Sequence, residues 1–332
     1  MIHIPISVLE LATVNADADF KTAIDNSMKI AVLAETLDFK RIWFAEHHNM
    51  PNIASSATAL LIQLAASQTQ KIRVGSGGIM LPNHPPLVIA ELFGTLETLY
   101  PNRIDLGLGR APGTDQVTMQ ALRRDHVQNA QNFPQEIKEL QNYFSKNQPD
   151  AKVNAYPGKG LNIPFYILGS STSSAYLAAE MGLPYAFATH FAPTQFEAAA
   201  QIYKANFKAS EQLAQPHLIA CVNVIAAETN EKAHFISTTF FNMIVHLVTN
   251  QRKGMEAPGE ISPLINHPEI RAAVDTFTLC SFIGDRPTID EKLNDFIATF
   301  QLDELMVTSH IYDMEDKMNS FRILGELNET SN

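Results

Sequence analysis

Short apolar segments alternate with amphipathic segments along most of the chain, and this rhythm predicts strands followed by helices. A helical pattern begins at about Ala18, where Phe20, Ile24, Met28 and Ala31 recur at the spacing of one helix face. Eight apolar segments are short enough to be strands, and we predict them at residues 2–8, 41–45, 72–79, 103–108, 164–168, 185–189, 218–225 and 304–308.

Helical periodicity follows many of these strands. The predicted helix with the clearest end runs from Thr172 to Met181, because Gly182 accepts the left-handed conformation and Pro184 cannot continue a helix. The helices that we predict begin at about residue 18 and then cover residues 55–66, 87–99, 134–144, 172–181 and 314–327.

The predicted strands are nearly continuous apolar runs, which is typical of a parallel sheet buried on both faces. Eight strand–helix units in a row favour a closed (β/α)8 TIM barrel over an open doubly wound sheet. Because barrels of this kind commonly have this length, we expect one domain over residues 1–332. Insertions interrupt the rhythm after strand four (110–160) and after strand seven (245–280), and long insertions usually act as lids or dimer arms.

Charge and composition narrow the possible partners. The formal net charge is −11, which argues against a nucleic-acid partner because duplex binding needs a positive face. No apolar run is long enough to cross a bilayer, and the first residues lack a charged-then-apolar signal pattern, so we expect a cytoplasmic protein. Cys221 and Cys280 match no metal or redox spacing, and we interpret both as buried packing residues.

The active site of such a barrel lies at the carboxyl ends of its strands. These ends are rich in glycine, hydroxyl groups and imidazoles but hold few carboxylates, which argues against a two-carboxylate hydrolase. The residues at the predicted strand ends are Glu46, His47, His48, Gly75 to Ile79, Asn83, His84, Gly107 to Arg110, Gly169 to Ser174, Thr189 to Phe191, Asn223 and Thr308 to His310.

The segment from Gly169 to Ser174 opens a predicted helix and indicates a phosphate site. Free backbone N–H groups at a helix start, supported by serine hydroxyls, bind phosphate, and Arg110 on a neighbouring strand end would supply the positive charge. The alternative is that Ser171 is only a helix cap and Arg110 a solvated loop residue.

Glycines interrupt two other strand ends. Gly75, Gly77 and Gly78 lie in an otherwise apolar strand, where glycine marks either the close approach of a flat ligand or a tight barrel corner. The segment beginning at Gly107 fails as a dinucleotide fingerprint, because Pro112 stands where the third glycine belongs.

The Glu46-His47-His48 run is a candidate for acid–base chemistry. Adjacent residues at a strand end point in opposite directions, so both imidazoles rarely bind one ion, and we expect no metal. One imidazole facing the barrel interior would act as an acid, a base or a hydrogen-bond donor. The roles of His84, His190 and His310 stay open at this point.

Several motifs together resemble the luciferase-like flavin-dependent monooxygenase family. They follow one another in the family's order over nearly the whole chain, and the subgroup they resemble is that of single-chain bacterial oxidoreductases related to alkanal monooxygenase. The motifs are Trp43 to His48, Val74 to Pro82 with His84-Pro85, Arg103 to Arg110 continuing to Asp115, Tyr166 to Ser174 followed by Ala178 to Pro184, and Asp303 to Ser309.

The resemblance implies a barrel, usually dimeric, that uses reduced FMN supplied by a separate flavin reductase. It implies a catalytic role for His47, flavin-phosphate contacts from Arg110 and the Gly169-Ser170-Ser171 and Ser174 segment, and a cis peptide at Gly77-Gly78 beneath the flavin ring. Two positions depart from the pattern of luciferase: Gly109 replaces a reactive cysteine, and Ser170 replaces an acidic residue. The first change puts luciferase-specific chemistry in doubt.

The leading functional hypothesis is a two-component monooxygenase that uses reduced FMN and O2 to oxygenate a small apolar or aldehyde-like substrate. One alternative is an oxidoreductase that transfers hydride with the deazaflavin F420, and another is a non-catalytic flavin-binding protein. A nicotinamide-dependent dehydrogenase is disfavoured by the failed fingerprint.

Overall fold

The computed structural model describes residues 1–111, 115–122, 131–147 and 151–328. In these residues, nine strands form one parallel sheet. They are β1 (Ile6–Glu10), β2 (Arg41–Phe44), β3 (Arg73–Met80), β4 (Ile104–Gly109), β5 (Phe165–Gly169), β6 (Tyr185–Phe187), β7 (Leu218–Ala226), β8 (Ser281–Gly284) and β9 (Glu304–Thr308).

The described helices surround this sheet. They are α1 (Phe20–Thr36), α2 (Thr58–Gln68), α3 (Pro86–Leu99), α4 (Gln116–Leu122), α5 (Phe133–Phe144), α6 (Thr172–Met181), α7 (Phe196–Asn206), α8 (Asn230–Val248), α9 (Pro268–Thr278), α10 (Arg286–Phe300) and α11 (Met314–Leu327). Among the residues described, no helix is long and apolar enough to cross a membrane.

Eight of the strands close into a barrel. Their order is β1 to β7 and then β9, which pairs with both β7 and β1. Val8 lies opposite Ile42 where β1 meets β2, and Ala186 lies opposite Ile219 where β6 meets β7. Side chains of alternate residues point inward and outward. The outward side chains pack against the helices, and the closed parallel barrel confirms the predicted fold class.

The remaining strand, β8, was not predicted. It pairs with the upper half of β7, so that Asn223 lies opposite Ser281 and Val224 opposite Phe282. The lower half of β7 pairs with β6, which has only three residues. A short β6 and a long β7 therefore leave an edge of β7 free, and β8 occupies it above β6.

The predicted elements agree closely with the observed ones. The last predicted strand and the two helices at 172–181 and 314–327 have the observed bounds, and Gly182 ends α6 with a positive φ of 62°. The first predicted strand was placed too early, because Ile2 forms only an isolated bridge with Asn328 and β1 begins at Ile6.

The interior of the barrel has a charged layer at the amino ends of the strands, which we call the lower layer. It consists of Ser7, Arg41, Asp105, Tyr166 and Glu304, all buried. Arg41 Nη1 donates to Asp105 Oδ2 (2.7 Å) and to the Tyr166 hydroxyl (2.6 Å). Its Nη2 donates to Glu304 Oε2 (3.1 Å), and Ser7 Oγ donates to Glu304 Oε1 (2.6 Å).

Above the lower layer, the interior is apolar. Trp43, Ile219, Cys221 and Met306 belong to one buried cluster, in which Trp43 and Tyr166 pack edge to face at 4.9 Å. Burial raises the pKa of the Cys221 thiol, and both cysteines are buried and free, as predicted. This apolar cluster, which we call the plug, separates the lower layer from the carboxyl end of the barrel, which we call the mouth.

Candidate active site

Three histidines lie at the mouth on separate strand ends. His47 follows β2, where the inward alternation of Arg41 and Trp43 continues through Ala45 to His47. His190 follows β6, and its backbone N–H donates to the carbonyl of Cys221 (2.7 Å). His310 follows β9, and its ring stacks on Phe240 of α8 at 5.5 Å with an interplanar angle of 1°.

His190 and His310 are neutral at physiological pH. Burial lowers the pKa of His190 to about 4, and the nearby His47 contributes to the same shift. Burial lowers the pKa of His310 to about 3, with a further contribution from His190. The two rings are therefore neutral hydrogen-bonding and stacking groups. Because His47 lowers the pKa of His190 and His190 lowers that of His310, the three imidazoles lie close enough to interact electrostatically.

Glu46 and His48 lie on the other side of the strand end from His47. His48 Nε2 and His84 Nε2 both lie 2.9 Å from Glu46 Oε1. Asn83 Nδ2 donates to the same oxygen (3.2 Å), and the backbone N–H of Met80 donates to Oε2 (3.1 Å). Burial acts to raise the Glu46 pKa, but the bonds from His48 and His84 outweigh it and lower the pKa to about 2. Ionised Glu46 thus ties the β2 end to the loop after β3.

The Glu46, His48 and His84 cluster is also a group that could hold a metal ion, since its candidate ligand atoms lie within 4.8 Å of one another. Sequence reasoning missed this contact because His84 is 38 residues from Glu46. The distances of 2.9 Å are those of charge-assisted hydrogen bonds. We therefore assign a positioning role to this cluster. Glu46 holds His48 in the loop after β2 and His84 in the loop after β3.

A cis peptide joins Gly77 and Gly78 at the end of β3. The register of β3 against β4 shifts between Ser76 and Ile79, so the strand bulges at this point. A Cβ at Gly77 would lie 2.7 Å from Leu9 Cδ1, and one at Gly78 would lie 2.7 Å from the carbonyl of Gly107. Both glycines are therefore required by the packing, whether or not a ligand also approaches them.

Gly75 has a different reason to be glycine. A Cβ there would lie 2.5 Å from the carbonyl oxygen of Asp105. The close approach of β3 to β4 explains this position without a ligand.

The start of α6 provides backbone donors at the mouth. Ser171 occupies the N-cap position with extended φ and ψ, but its side chain makes no capping hydrogen bond. Its hydroxyl instead lies 2.9 Å from the hydroxyl of Ser173. Arg110 Nη2, at the end of β4, donates to Ser173 Oγ (3.1 Å). Ser173 lies within the predicted phosphate segment but was given no role of its own, although it joins Arg110 to the helix start.

Three further predicted residues belong to the same segment. Ser174 is buried, and its hydroxyl donates to the Ser171 carbonyl (2.6 Å) and lies 2.8 Å from the Tyr185 hydroxyl. A Cβ at Gly169 would overlap the Ser174 hydroxyl, so β5 must end in glycine here. Ser170 is half-buried between them. Ser174 therefore shapes the segment from inside, while Ser171 and Ser173 lie on its outer side.

A segment after α8 covers part of the mouth. Met255 pairs with Asn15 in the loop after β1, and Arg252 Nη1 donates to the Asn49 carbonyl (2.8 Å). Arg252 Nη2 also lies 3.2 Å from Asp115 Oδ2. The insertion predicted at 245–280 thus contacts three other loops of the mouth, those after β1, β2 and β4. In the insertion predicted at 110–160, residues 112–114, 123–130 and 148–150 lie outside the described residues, and so does part of the motif from Arg110 to Asp115.

The chain matches known proteins over nearly its whole length. The model of a family described as luciferase-like monooxygenase matches residues 4–296. The protein YvbT of Bacillus subtilis is 46% identical over 323 residues, 97% of this chain and 96% of YvbT. A luciferase-like monooxygenase of Escherichia coli is 42% identical over 326 residues, 98% of this chain and 97% of that protein. An N-acetyl-S-alkylcysteine monooxygenase of Bacillus subtilis is 28% identical and covers 97% of this chain and 98% of itself.

Solved structures share the fold. The crystal structure of apo-MsnO8 has a TM-score of 0.89 at 30% identity and covers 98% of each chain. The oxygenating constituent of 3,6-diketocamphane monooxygenase from Pseudomonas putida, in complex with FMN, has a TM-score of 0.74 at 17% identity, with 97% of each chain covered. An F420-dependent secondary alcohol dehydrogenase has a TM-score of 0.59 at 16% identity and covers 100% of each chain. The last two likenesses concern the fold alone.

Proposed function

This chain belongs to the luciferase-like monooxygenase family, and from that premise we propose that it is a monooxygenase that uses reduced FMN and O2. The observation that carries the proposal is the uncapped start of α6 with Arg110 beside it, on the same mouth as the glycine bulge of β3. When bound, reduced FMN would supply two electrons to the reaction. One atom of O2 would enter the product, and the other would be reduced to water.

The start of α6 fits the phosphate of FMN. Since no side chain caps the helix, the backbone N–H groups of Thr172 and Ser173 would be available to an anion, and the helix dipole favours negative charge there. The Ser174 N–H instead donates to the Ser171 carbonyl (3.2 Å). Arg110 and the Ser171–Ser173 hydroxyl pair border the same point and would add charge-assisted hydrogen bonds. Gly169, Ser170 and Ser174 would hold the shape of this segment.

The ring of the flavin would lie against the bulge at Gly77-Gly78. The strand bulges at these two residues, and the positions of the missing Cβ atoms are filled by Leu9 at Gly77 and by the Gly107 carbonyl at Gly78, so the backbone of β3 itself would face the ring. The Glu46 cluster fixes the loop that follows this bulge, since it holds Met80 and His84 together.

His47 is the proposed catalytic residue. It faces the interior of the mouth from β2, the strand next to β3, and its proton would move to or from the flavin or substrate. His190 and His310 would stay neutral and line the opposite wall. The apolar plug below them would exclude water from the reacting atoms.

We place the substrate among small organic molecules with an oxidisable carbonyl or sulfur. The side chains around the mouth, such as Leu9, Ile311 and Phe240, are mainly apolar. One relative is named as an N-acetyl-S-alkylcysteine monooxygenase, and the S-alkyl group in that name is a thioether. Thioethers are therefore a second candidate substrate class beside aldehyde-like compounds.

Two partners belong to the proposal. A separate flavin reductase would supply the reduced FMN, as the family resemblance implies. A second copy of the chain would cover the exposed apolar side chains Leu60, Val88, Leu92 and Leu99 on α2 and α3. Sedimentation of a Leu92→Glu variant tests this dimer: a monomer supports it, whereas an unchanged dimer contradicts this interface.

The proposed reaction is tested by following labelled oxygen. The purified protein is mixed with a flavin reductase, NADH, FMN and ¹⁸O2, with decanal and an alkyl thioether as separate probes. The proposal expects one ¹⁸O atom in the product. A His47→Asn variant should lose about 10²- to 10⁴-fold in product formation while its affinity for reduced FMN changes little.

The matched control is His234→Asn, because His234 is an exposed histidine on α8. It should retain full activity. Flavin oxidation that yields only hydrogen peroxide with every probe, or equal activity of wild type and His47→Asn, would overturn the proposal.

A further inference from the structure

Asn223 has a buried side-chain amide whose hydrogen bonding is unusual. It lies on β7 and is 0% exposed. Among the residues that the structure describes, neither its Nδ2 nor its Oδ1 has a hydrogen-bond partner. Proteins rarely leave both atoms of a buried amide unpaired, because the lost hydration is not regained. The cost of burying Asn223 therefore points to a partner that is not part of this chain.

The neighbouring strand repeats the pattern. Ser281 of β8 lies opposite Asn223 in register, and its buried Oγ is also without a partner within the described part of the chain. On the other side of β7, Thr308 of β9 lies opposite Asn223. Two adjacent strands thus place unpaired hydrogen-bonding atoms next to each other at one level of the mouth.

The alternation along β7 places Asn223 on the inner face of the barrel. Cys221 and Ile219, two and four residues before it, belong to the interior cluster with Trp43 and Met306. The outward residues Val222 and Val224 pack instead in the core beneath the helices. The Asn223 amide therefore continues the inward row one step above Cys221, at the mouth.

Asn223 lies across the mouth from the proposed flavin site. The flavin contacts come from β3, β4 and β5, and in the closed order of eight strands β7 lies four strands from β3. It is therefore diametrically opposite the bulge at Gly77-Gly78. A substrate that reacts with the flavin would lie between the proposed ring position and the β7 side of the mouth, where Asn223 is.

The wall around Asn223 is neutral and largely apolar. His310 stacks on Phe240, and Ile225 and Ile311 belong to the apolar cluster above β7. His190 is held at the mouth by Cys221. In such surroundings an unpaired amide discriminates strongly, because a ligand that cannot pair with it leaves it unsatisfied.

We propose that Asn223 is a specificity-determining residue that binds a neutral amide on an otherwise apolar substrate. The Asn223 Nδ2 donates to the carbonyl oxygen of the substrate amide, and Oδ1 accepts from its N–H. A primary amide is the class that fits, because it presents its carbonyl oxygen and one N–H on the same side and complements both unpaired atoms, whereas the N–H of a trans secondary amide points away from its carbonyl. The inference rests on the proposed function, since it takes the molecule opposite Asn223 to be the substrate.

The test compares three thioethers that share the alkylthio group and a three-carbon chain: a 3-(alkylthio)propanamide, the corresponding methyl 3-(alkylthio)propanoate and an alkyl propyl sulfide. Calorimetry at saturating reduced FMN, without oxygen, measures the affinity of each. We expect the wild type to bind the amide at least about 30-fold more tightly than the sulfide, with the ester between them. Equal affinity for the three compounds would overturn the inference.

Asn223→Leu is the informative variant, because leucine has nearly the same size and removes both polar atoms. It should bind the amide and the sulfide equally, and its affinity for reduced FMN should stay within about twofold. Its Tm should rise by roughly 1–5 °C, since an unpaired buried amide is lost. A variant that keeps the preference for the amide, or that loses reduced FMN more than tenfold, contradicts a substrate role.

Asn242→Leu is the matched control. Asn242 is also buried, but its Nδ2 donates to the Glu260 carbonyl (3.1 Å) and its Oδ1 accepts from the Ser262 N–H (2.8 Å). Its replacement should lower the Tm and leave the amide preference intact. Because binding is measured without turnover, failure of the inference is separable from failure of the proposed reaction, which the ¹⁸O2 experiment reports.

Discussion

The two ends of the barrel interior use polar residues in opposite ways. In the lower layer, Arg41, Asp105 and Glu304 are charged and bonded to one another at 2.7–3.1 Å. At the mouth, His190 and His310 are neutral, and the buried Asn223 amide has no partner in the described chain. The lower layer completes its own interactions, whereas the mouth leaves interactions open. The comparison indicates that the lower end serves stability and the mouth serves binding.

The pKa shifts reinforce this contrast. Burial acts to raise the Glu304 pKa, but Arg41 outweighs it and holds the pKa well below the usual range, so the carboxylate stays ionised. Burial raises the pKa of Tyr166 to about 12, with help from Asp105. At the mouth, burial dominates, because no charge of opposite sign compensates it at either histidine.

The largest expected effect comes from breaking the lower layer. Arg41→Met leaves Asp105 and Glu304 without their buried cation, and the free energy of unfolding should fall by about 3–5 kcal/mol. Urea denaturation measures it. The control Arg322→Met removes an exposed pair with Glu315 and should cost less than about 1 kcal/mol. Equal effects of the two variants would contradict the assignment of the lower layer to stability.

The next effect concerns the mouth alone. Arg110→Met should weaken binding of reduced FMN by about 10- to 100-fold, the loss of one charge-assisted contact, with little change in unfolding. Anaerobic fluorescence titration measures the affinity. Riboflavin, which lacks the phosphate, is the matched ligand and should bind both proteins equally. If riboflavin binding falls as much as FMN binding, Arg110 does not contact the phosphate.

The pH dependence of stability tests whether the two mouth histidines are buried as neutral rings. The folded-state pKa values of His190 and His310 lie near 4 and 3, below the ordinary value of 6.5, so the unfolded chain binds more protons between these values. Stability should therefore fall as the pH drops below about 6.5, by up to about 1.4 kcal/mol per pH unit for each ring.

Urea denaturation from pH 6.5 to 5 checks this slope. Over that range Glu46, with a pKa of about 2, stays ionised when folded and contributes little. A His190→Gln/His310→Gln double variant should have a shallower pH dependence than the wild type. An unchanged slope would show that the two rings are not buried as neutral imidazoles.

The smallest expected effect is the difference between two N-cap residues, Ser171 of α6 and Thr229 of α8. Ser171 does not cap α6, so Ser171→Ala should change the free energy of unfolding by less than about 0.5 kcal/mol. Thr229 does cap α8, since its side chain accepts from the Lys232 N–H, and Thr229→Ala should cost about 1 kcal/mol. Thermal unfolding compares them. Only Ser171→Ala should weaken reduced FMN binding, and a loss of stability equal to that of Thr229→Ala would indicate a plain cap.

Periodicity predicted the barrel because parallel strands and their helices are set by local apolar spacing. The helix from Thr172 to Met181 is an example, since its apolar residues and Gly182 define both its face and its end. β8 was missed because Ser281 to Gly284 is four residues long and follows a Pro- and Gly-bearing segment. It forms only because the upper half of β7 offers a free edge, which no local pattern reveals.

The candidate site was predicted as a set of residue types at strand ends, and the contacts among them were not. The sequence placed His47, Arg110 and Asn223 at the mouth. It could not show that His84 reaches Glu46 from the next loop, nor that Ser173 contacts Arg110. Whether Asn223 has a partner depends on every neighbour of β7, so only the folded chain reveals that its amide is unpaired.

The central claim is that the mouth binds reduced FMN, and one titration tests it most directly. Reduced FMN, oxidised FMN and F420 are titrated in parallel into the anaerobic protein. Arg110 and the start of α6 suit the terminal phosphate of FMN, whereas the phosphate of F420 is a diester that continues into a tail. The account predicts that reduced FMN binds at least about tenfold more tightly than F420. Tighter binding of F420, or no binding of reduced FMN, would contradict it.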